Sequence, residues 1–161
     1  MEEQATTITV FDSTNKDSLP WKEEFTLADQ TTTDDGKTSW TATRSKGVFE
    51  VRENALFINE KGEEGVFQTG EINIFSGPVN ISLDIVPQGG VDSGDYVSLY
   101  QIVDGGKEQL IGEIKGSRGT QSEHATIQGT TNGKKLVLII RSEVSSDDEV
   151  FLIDNLQITG R

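Results

Sequence analysis

The sequence predicts an all-β protein, an antiparallel two-sheet β-sandwich of jelly-roll type, and three observations lead there. Short runs rich in Val, Ile, Phe and Thr recur from residue 47 onward, many alternating apolar with polar residues at the period of a half-buried strand. Turn-forming residues separate them. No segment of ten or more residues keeps a 3.6-residue apolar spacing, and alanine, the best helix former, is scarce. Nine or ten short strands that bury one face each pack most simply as two sheets around one core.

In chain order, residues 1–19 are polar with one strand-like stretch at 8–11 (ITVF). Residues 21–40, WKEEFTLADQTTTDDGKTSW, read as a structured loop with few apolar residues and an Asp-Asp-Gly turn, and a loop this long needs something to hold it. The strand candidates follow at 47–51, 55–60, 65–75, 79–86, 95–103, 107–115, 124–130, 134–142 and 149–159. Asp104-Gly105-Gly106 tolerates positive φ and predicts a hairpin between the fifth and sixth, and Asn132-Gly133 is a second turn of that kind. The Gly-rich stretch 89–95 (GGVDSGD) reads as a loop at one end of the sandwich, and Ser145-Ser146-Asp147-Asp148 parts the last two strands. With no repeat and no linker, the chain is expected to be one domain over 1–161, its core module spanning 20–160.

Charge narrows the function. The 161 residues carry 27 acidic against 14 basic side chains, net −13, a field that repels nucleic acid and anionic membranes. No cysteine and a single histidine, His124, leave no disulfide, no thiolate metal site and no plausible zinc ligand set. Carboxylate chemistry remains. The longest strongly apolar run, 136–140, is far short of the roughly 20 residues that cross a bilayer. The opening MEEQATT lacks the basic end and apolar middle of a signal peptide, yet a chain taken from a longer exported protein would lack one too.

Specific residues carry a resemblance. Trp21, Glu23 and Phe25 (W-x-E-x-F) lead into the Asp-rich loop and Trp40, and residues 151–156 (FLIDNL) close the last strand. This pairing is similar to the calcium-containing β-sandwich carbohydrate-binding modules of secreted bacterial polysaccharide-degrading proteins, within the galactose-binding-domain-like group. Residues 95–112 also resemble modules of surface and secreted proteins of marine and gut bacteria, and the likeness extends over about 19–160. It implies that an early acidic strand and an aspartate of the final strand lie side by side and share calcium. Such modules often show two or three Trp or Tyr to the sugar, where this chain has Trp21, Trp40, Tyr96 and Tyr100.

Calcium takes six to eight oxygens, which carboxylates and loop carbonyls supply without strict geometry. Glu23, Glu24, Asp29, Asp34, Asp35 and Asp154 are the candidates, with Glu24 or Glu23 and Asp154 the side-chain ligands that the resemblance implies. The ion's expected role is structural, pinning the long loop. The acidic stretch 145–149 reads as a solvated loop, with a second, weaker cation site as the alternative.

For sugar, aromatic rings stack on the apolar face of a pyranose while Arg, Gln and Glu meet its hydroxyls. Alternation puts Tyr96, Ser98 and Tyr100 on one face of their strand and Gln101 on the other. A Tyr or Gln combined with Arg52, Arg141 and Glu143 makes a platform, with Arg44 and Arg118 at its rim. Glu71 and Asp84 are the only acids embedded in strong strands, and outward strand positions explain them without the paired carboxylates of a glycosidase.

The expectation is therefore a noncatalytic carbohydrate-binding module with one structural calcium ion. Its partners would be a polysaccharide and a catalytic domain of the same parent chain, with no nucleic acid and no membrane. It would be monomeric, and secreted or on the cell surface. The rival from another class is a structural or adhesive sandwich of a bacterial surface protein.

Overall fold

The computed structural model describes residues 19–44, 46–75, 77–116 and 124–160; the strand expected at 8–11 and Arg118 fall outside them. The described chain forms strands and no helix: β1 (Trp21–Glu23), β2 (Thr33–Asp34), β3 (Trp40–Thr43), β4 (Val48–Arg52), β5 (Ala55–Asn59), β6 (Gly65–Thr69), β7 (Ile72–Asn73), β8 (Pro78–Gln88), β9 (Tyr96–Val103), β10 (Gln109–Lys115), β11 (Ala125–Asn132), β12 (Lys135–Glu143) and β13 (Val150–Gly160). The number exceeds the nine or ten expected. The run at 65–75 breaks into β6 and β7 around Gly70, and the region read as loop supplies β1, β2 and the start of β3.

The strands form two antiparallel sheets, an all-β jelly-roll sandwich. The first sheet runs β11-β8-β13-β5-β4, with β1 also on β13; the second runs β10-β9-β12-β6-β3-β2, with β7 also on β12. Alternation sets the core. Along β8, Val79, Ile81, Leu83 and Ile85 are buried between the sheets while Asn80, Ser82 and Asp84 face out. Phe25, Trp40 and Phe67 form an aromatic group at centroid distances of 5.8, 6.0 and 5.1 Å, and Trp21 is buried as well. Full burial of each such ring contributes about 1.5–3 kcal/mol.

The expected hairpin at Asp104-Gly105 joins β9 to β10, both residues at positive φ (51° and 71°). Asn132-Gly133 instead carries the chain from β11 in one sheet to β12 in the other. Asp104 Oδ1 accepts the Lys134 and Lys135 N–H groups at 2.9 and 2.8 Å, tying the two turns together.

The two lateral edges close differently. At β10 and β11, side chains interlock: a Cβ on Gly112 would sit 2.8 Å from Ile127 Cγ2, and one on Gly129 would sit 2.5 Å from Ile111 Cγ2. Only glycine admits that approach. At the opposite edge, residues 30–32 bridge the sheets. The Gln30 N–H donates to Val51 C=O (2.7 Å) and Val51 N–H to Thr31 C=O (2.9 Å) on β4, while Ala42 N–H of β3 donates to Thr32 C=O (2.7 Å).

Candidate functional site

Beginning with the acids singled out in the sequence, β1 does lie antiparallel on β13, with Glu23 opposite Leu156. Glu23 itself turns inward. It is 5% exposed, and its Oε1 accepts Phe25 N–H (2.6 Å) while Oε2 accepts Thr38 Oγ1 (2.6 Å) and Trp40 Nε1 (2.8 Å). Three neutral donors occupy this carboxylate, and through them it holds both ends of the long loop and the left-handed Phe25 (φ 53°). Asp29 Oδ1 accepts Glu53 N–H at 2.8 Å, fastening the loop to the β4–β5 turn, and Asp34 Oδ1 accepts Gly36 N–H at 3.0 Å within its own turn. Asp35 is exposed.

Glu24 is exposed and pairs with Lys22 at 3.5 Å. Asp154 lies opposite Asp84 across β13 and β8, and Asn155 Nδ2 donates to Asp84 Oδ2 at 2.9 Å. Burial pushes the Asp154 carboxyl above the usual carboxylate range, and the charges of Glu24 and Asp84 add to the shift. The six acids named in the sequence do not converge on one point.

Among the described residues, the carboxylates that do converge are Asp92, Asp95 and Glu149, with oxygens within 4.8 Å of one another. They sit where the β8–β9 loop meets the β12–β13 loop. Asp95 and Glu149 are buried and Asp92 is exposed. Asp95 accepts Asp92 N–H (2.7 Å) and Ser145 N–H (2.8 Å), and Glu149 Oε2 accepts Ser145 N–H and Oγ, each at 3.0 Å. No Lys or Arg of the described residues pairs with the three. An all-oxygen donor set beside loop carbonyls has the chemistry that calcium takes. The sequence marked 145–149 as a weak cation site but gave no sign that Asp92 and Asp95 would join it, because that meeting depends on which loops share an end of the sandwich.

The sugar candidates divide between the sheets. The outer face of the second sheet carries a straight cross-strand row, Thr41, Gln68, Ile139, Tyr100 and Leu110, on β3, β6, β12, β9 and β10 in register. A second row lies beside it: Thr43, Val66, Arg141, Ser98 and Glu113. Leu110 is 55% exposed, one of two large apolar side chains so open to solvent among the described residues. Ile139 is covered by its neighbours although it points away from the core. Leu110, Gln68 and Thr41 were missed in the sequence, where period-2 alternation gives each strand's faces but not its neighbours.

Arg141 is fixed at the centre of this face. Its Nε and Nη2 donate to Glu108 Oε2 and Oε1 at 2.9 and 3.0 Å, its Nη1 donates to Glu64 Oε1 at 3.1 Å, and its Cζ lies 5.8 Å from the Tyr100 ring centroid. The hydrogen bonds from Arg141 hold the Glu108 carboxyl below its ordinary range, and Glu108 and Glu64 push the guanidinium further up. Tyr96 donates its hydroxyl to Glu64, and burial, then that carboxylate, push its phenol well above the ordinary value. Glu143 lies opposite Tyr96 on the same face.

Two expected members of the platform are elsewhere. Gln101 faces opposite to Tyr100, as alternation requires, and its buried Oε1 has no hydrogen-bond partner. Arg52 is on β4 of the first sheet, over the Phe57 ring at 4.5 Å and paired with Glu50 at 3.0 Å, so it cannot share a surface with Arg141. Arg44 follows β3 and lines a cleft with Arg52.

No protein-family model matches the chain, and no curated protein matches it. Solved structures do. The carbohydrate recognition domain of Emp46p, in its potassium-bound form, aligns at TM-score 0.56 and 10% identity over 90% of this chain and 97% of that one. The K3 adhesin domain of Lys-gingipain from Porphyromonas gingivalis aligns at TM-score 0.54 and 12% identity, covering 82% and 99%. A CBM4 structure aligns at TM-score 0.53 and 10% identity, covering 86% and 97%. The chain therefore shares its β-sandwich fold with these three structures.

Proposed function

We propose that the chain is a noncatalytic carbohydrate-binding module whose glycan lies across the strands on the outer face of the second sheet. The observation that carries this reading is the pair of cross-strand rows, which set an aromatic ring and an exposed Leu beside hydroxyl, amide and ionic groups. Five strands at about 4.8 Å spacing give the rows a length of roughly 20 Å, enough for several sugar units. Tyr100 and Leu110 offer the apolar surface for a pyranose face. Gln68, Thr41 and the carboxylates of Glu108 and Glu113 offer partners for hydroxyls. Carboxylates outnumber Arg141 on this face, which favours a neutral glycan. Work of this kind needs only modest affinity, because tethering to a catalytic domain in a secreted or surface-bound parent chain supplies effective concentration.

A structural calcium ion belongs to the same proposal, with two placements open to it: Glu24 with Asp154 beside the β1–β13 contact, or Asp92, Asp95 and Glu149 at the loop corner. Either would pin irregular chain without taking part in sugar contact.

Affinity electrophoresis across neutral and sulfated polysaccharides tests the main reading. Retardation by a neutral polymer is expected, with a loss of roughly two- to tenfold in affinity for Tyr100→Ala, since aromatic stacking is worth about 0.5–1.5 kcal/mol. Uniform failure to bind would sink it. An adhesive role would then remain, and the half-buried apolar row Phe57, Leu152 and Val86 on the outer face of the first sheet is the surface that favours it.

A further inference from the structure

The bridged edge of the sandwich holds a group that the glycan face does not use. A cleft of about 660 Å³ opens there between the end of β3 and the outer side of β4, lined by Gln30, Thr32, Thr43, Arg44, Glu50 and Arg52. That volume lies within the range of small-molecule sites.

Its two arginines differ in what holds them. Arg52 rests on Phe57, lines the cleft and donates one hydrogen bond, from Nε to the buried Glu50, which leaves its Nη groups with no acceptor among the described residues. Arg44 makes no hydrogen bond or ion pair among the described residues, whereas Arg52 and Arg141, the other described arginines, are both paired. In a chain with 27 acids against 14 bases, an arginine left unpaired beside a second one is a local reversal of sign. Two guanidiniums against one carboxylate leave this cleft positive. The remaining lining is neutral: Gln30, Thr32 and Thr43, which suit hydroxyl groups, and the apolar Ala42 and Val48.

We propose that this cleft, beyond the Thr43 end of the sheet face, is a second ligand site for a sugar unit bearing one carboxylate, a uronate residue. Arg44 meets the carboxylate with its planar fork, Arg52 contributes its outer Nη groups from a plane fixed by Phe57, and Gln30, Thr32 and Thr43 take ring hydroxyls. Glu50 keeps the site to a single negative charge, because a densely anionic polymer would be repelled by it and by the chain as a whole. The site needs no contribution from Tyr100 or Arg141.

Calorimetric titration with galacturonate oligomers, galactose oligomers and sulfated galactose oligomers decides it. The galacturonate oligomer is expected to bind the wild-type chain more tightly than either of the others, with affinity falling as salt rises. Arg44→Gln should weaken galacturonate binding about tenfold, the loss of one charge-assisted hydrogen-bonded contact, and leave the thermal melt unchanged because Arg44 holds nothing in place. Tyr100→Ala should leave galacturonate binding intact. Equal affinity for acidic and neutral oligomers, tighter binding of the sulfated oligomer, or an Arg44→Gln variant that binds galacturonate like the wild type would overturn the proposal. Loss of galacturonate binding in Tyr100→Ala would return the acidic sugar to the sheet face, and so would overturn the second site while leaving the glycan-binding reading in place.

Discussion

Glu23 and Asp95 are both buried carboxylates beside irregular chain, and the molecule holds them in different ways. Glu23 belongs to no converging group of acids among the described residues and accepts hydrogen bonds from three neutral donors that fasten the 24–39 loop to β1 and β3. Asp95 is also hydrogen-bonded, but it shares its corner with Asp92 and Glu149, so two loops meet across three like charges. A carboxylate of the first kind is a fold element whatever the solution contains. One of the second kind gains from a cation, because Coulomb repulsion in a partly buried site is what the ion would relieve.

The largest expected effect breaks the first half of that comparison. Glu23→Ala removes the acceptor of three hydrogen bonds and leaves Phe25 N–H, Thr38 Oγ1 and the buried Trp40 indole N–H without it. At about 1–3 kcal/mol for each orphaned buried donor, with Thr38 able to turn to water, the loss of stability should be about 3–4 kcal/mol in a urea melt. The loss should be the same in calcium and in chelator. A cost that appears only in calcium would make Glu23 a ligand after all.

The next effect is smaller and tests the corner. If calcium occupies either proposed placement, at a concentration of 100 times its dissociation constant it stabilises the fold by about 2.7 kcal/mol, a rise in melting temperature of roughly 5–10 °C. Asp95→Asn should abolish that rise if the ion sits with Asp92 and Glu149, and Asp154→Asn should abolish it if the ion sits with Glu24. A wild-type melt that is indifferent to chelator removes calcium from the reading.

How much of this was legible in the sequence follows from the range of each interaction. Strand alternation is local, so the buried and outward residues of β8, β9 and β12 could be read from the chain, as could the Asp104-Gly105 hairpin. Strand order is not local. Nothing in the residues around Arg52 and Arg141 says that they belong to different sheets, and the platform combining them failed on that point. The acids of residues 23–35 looked like a ligand set because they are close in sequence, but Glu23 and Asp34 accept donors of the loop they hold and Asp29 accepts Glu53 N–H of the β4–β5 turn. Asp95 and Glu149 are over fifty residues apart, and only the sandwich brings them together.

The smallest expected effect separates the two placements by the sign of a pH dependence. Burial, with Glu24 and Asp84 adding to it, raises the Asp154 carboxyl above its unfolded value near 3.9, so the folded chain binds that proton more tightly than the unfolded chain does. Below the unfolded pKa both states are protonated and Asp154 exacts no penalty. As the pH rises through the raised folded value the unfolded state loses its proton first, and stability falls until both are ionised. Asp154→Asn stays neutral and keeps an oxygen for the Asn155 N–H, which Oδ1 accepts at 2.8 Å in the wild type. In chelator the variant should therefore match the wild type near pH 3 and melt above it by neutral pH. Saturating calcium should reverse that order at neutral pH if the ion sits at Asp154, since only the wild type can bind it there, and should leave the order unchanged if it sits at the Asp95 corner. A difference between the two melts that is constant across the whole pH range in chelator would show that Asp154 carries no such strain.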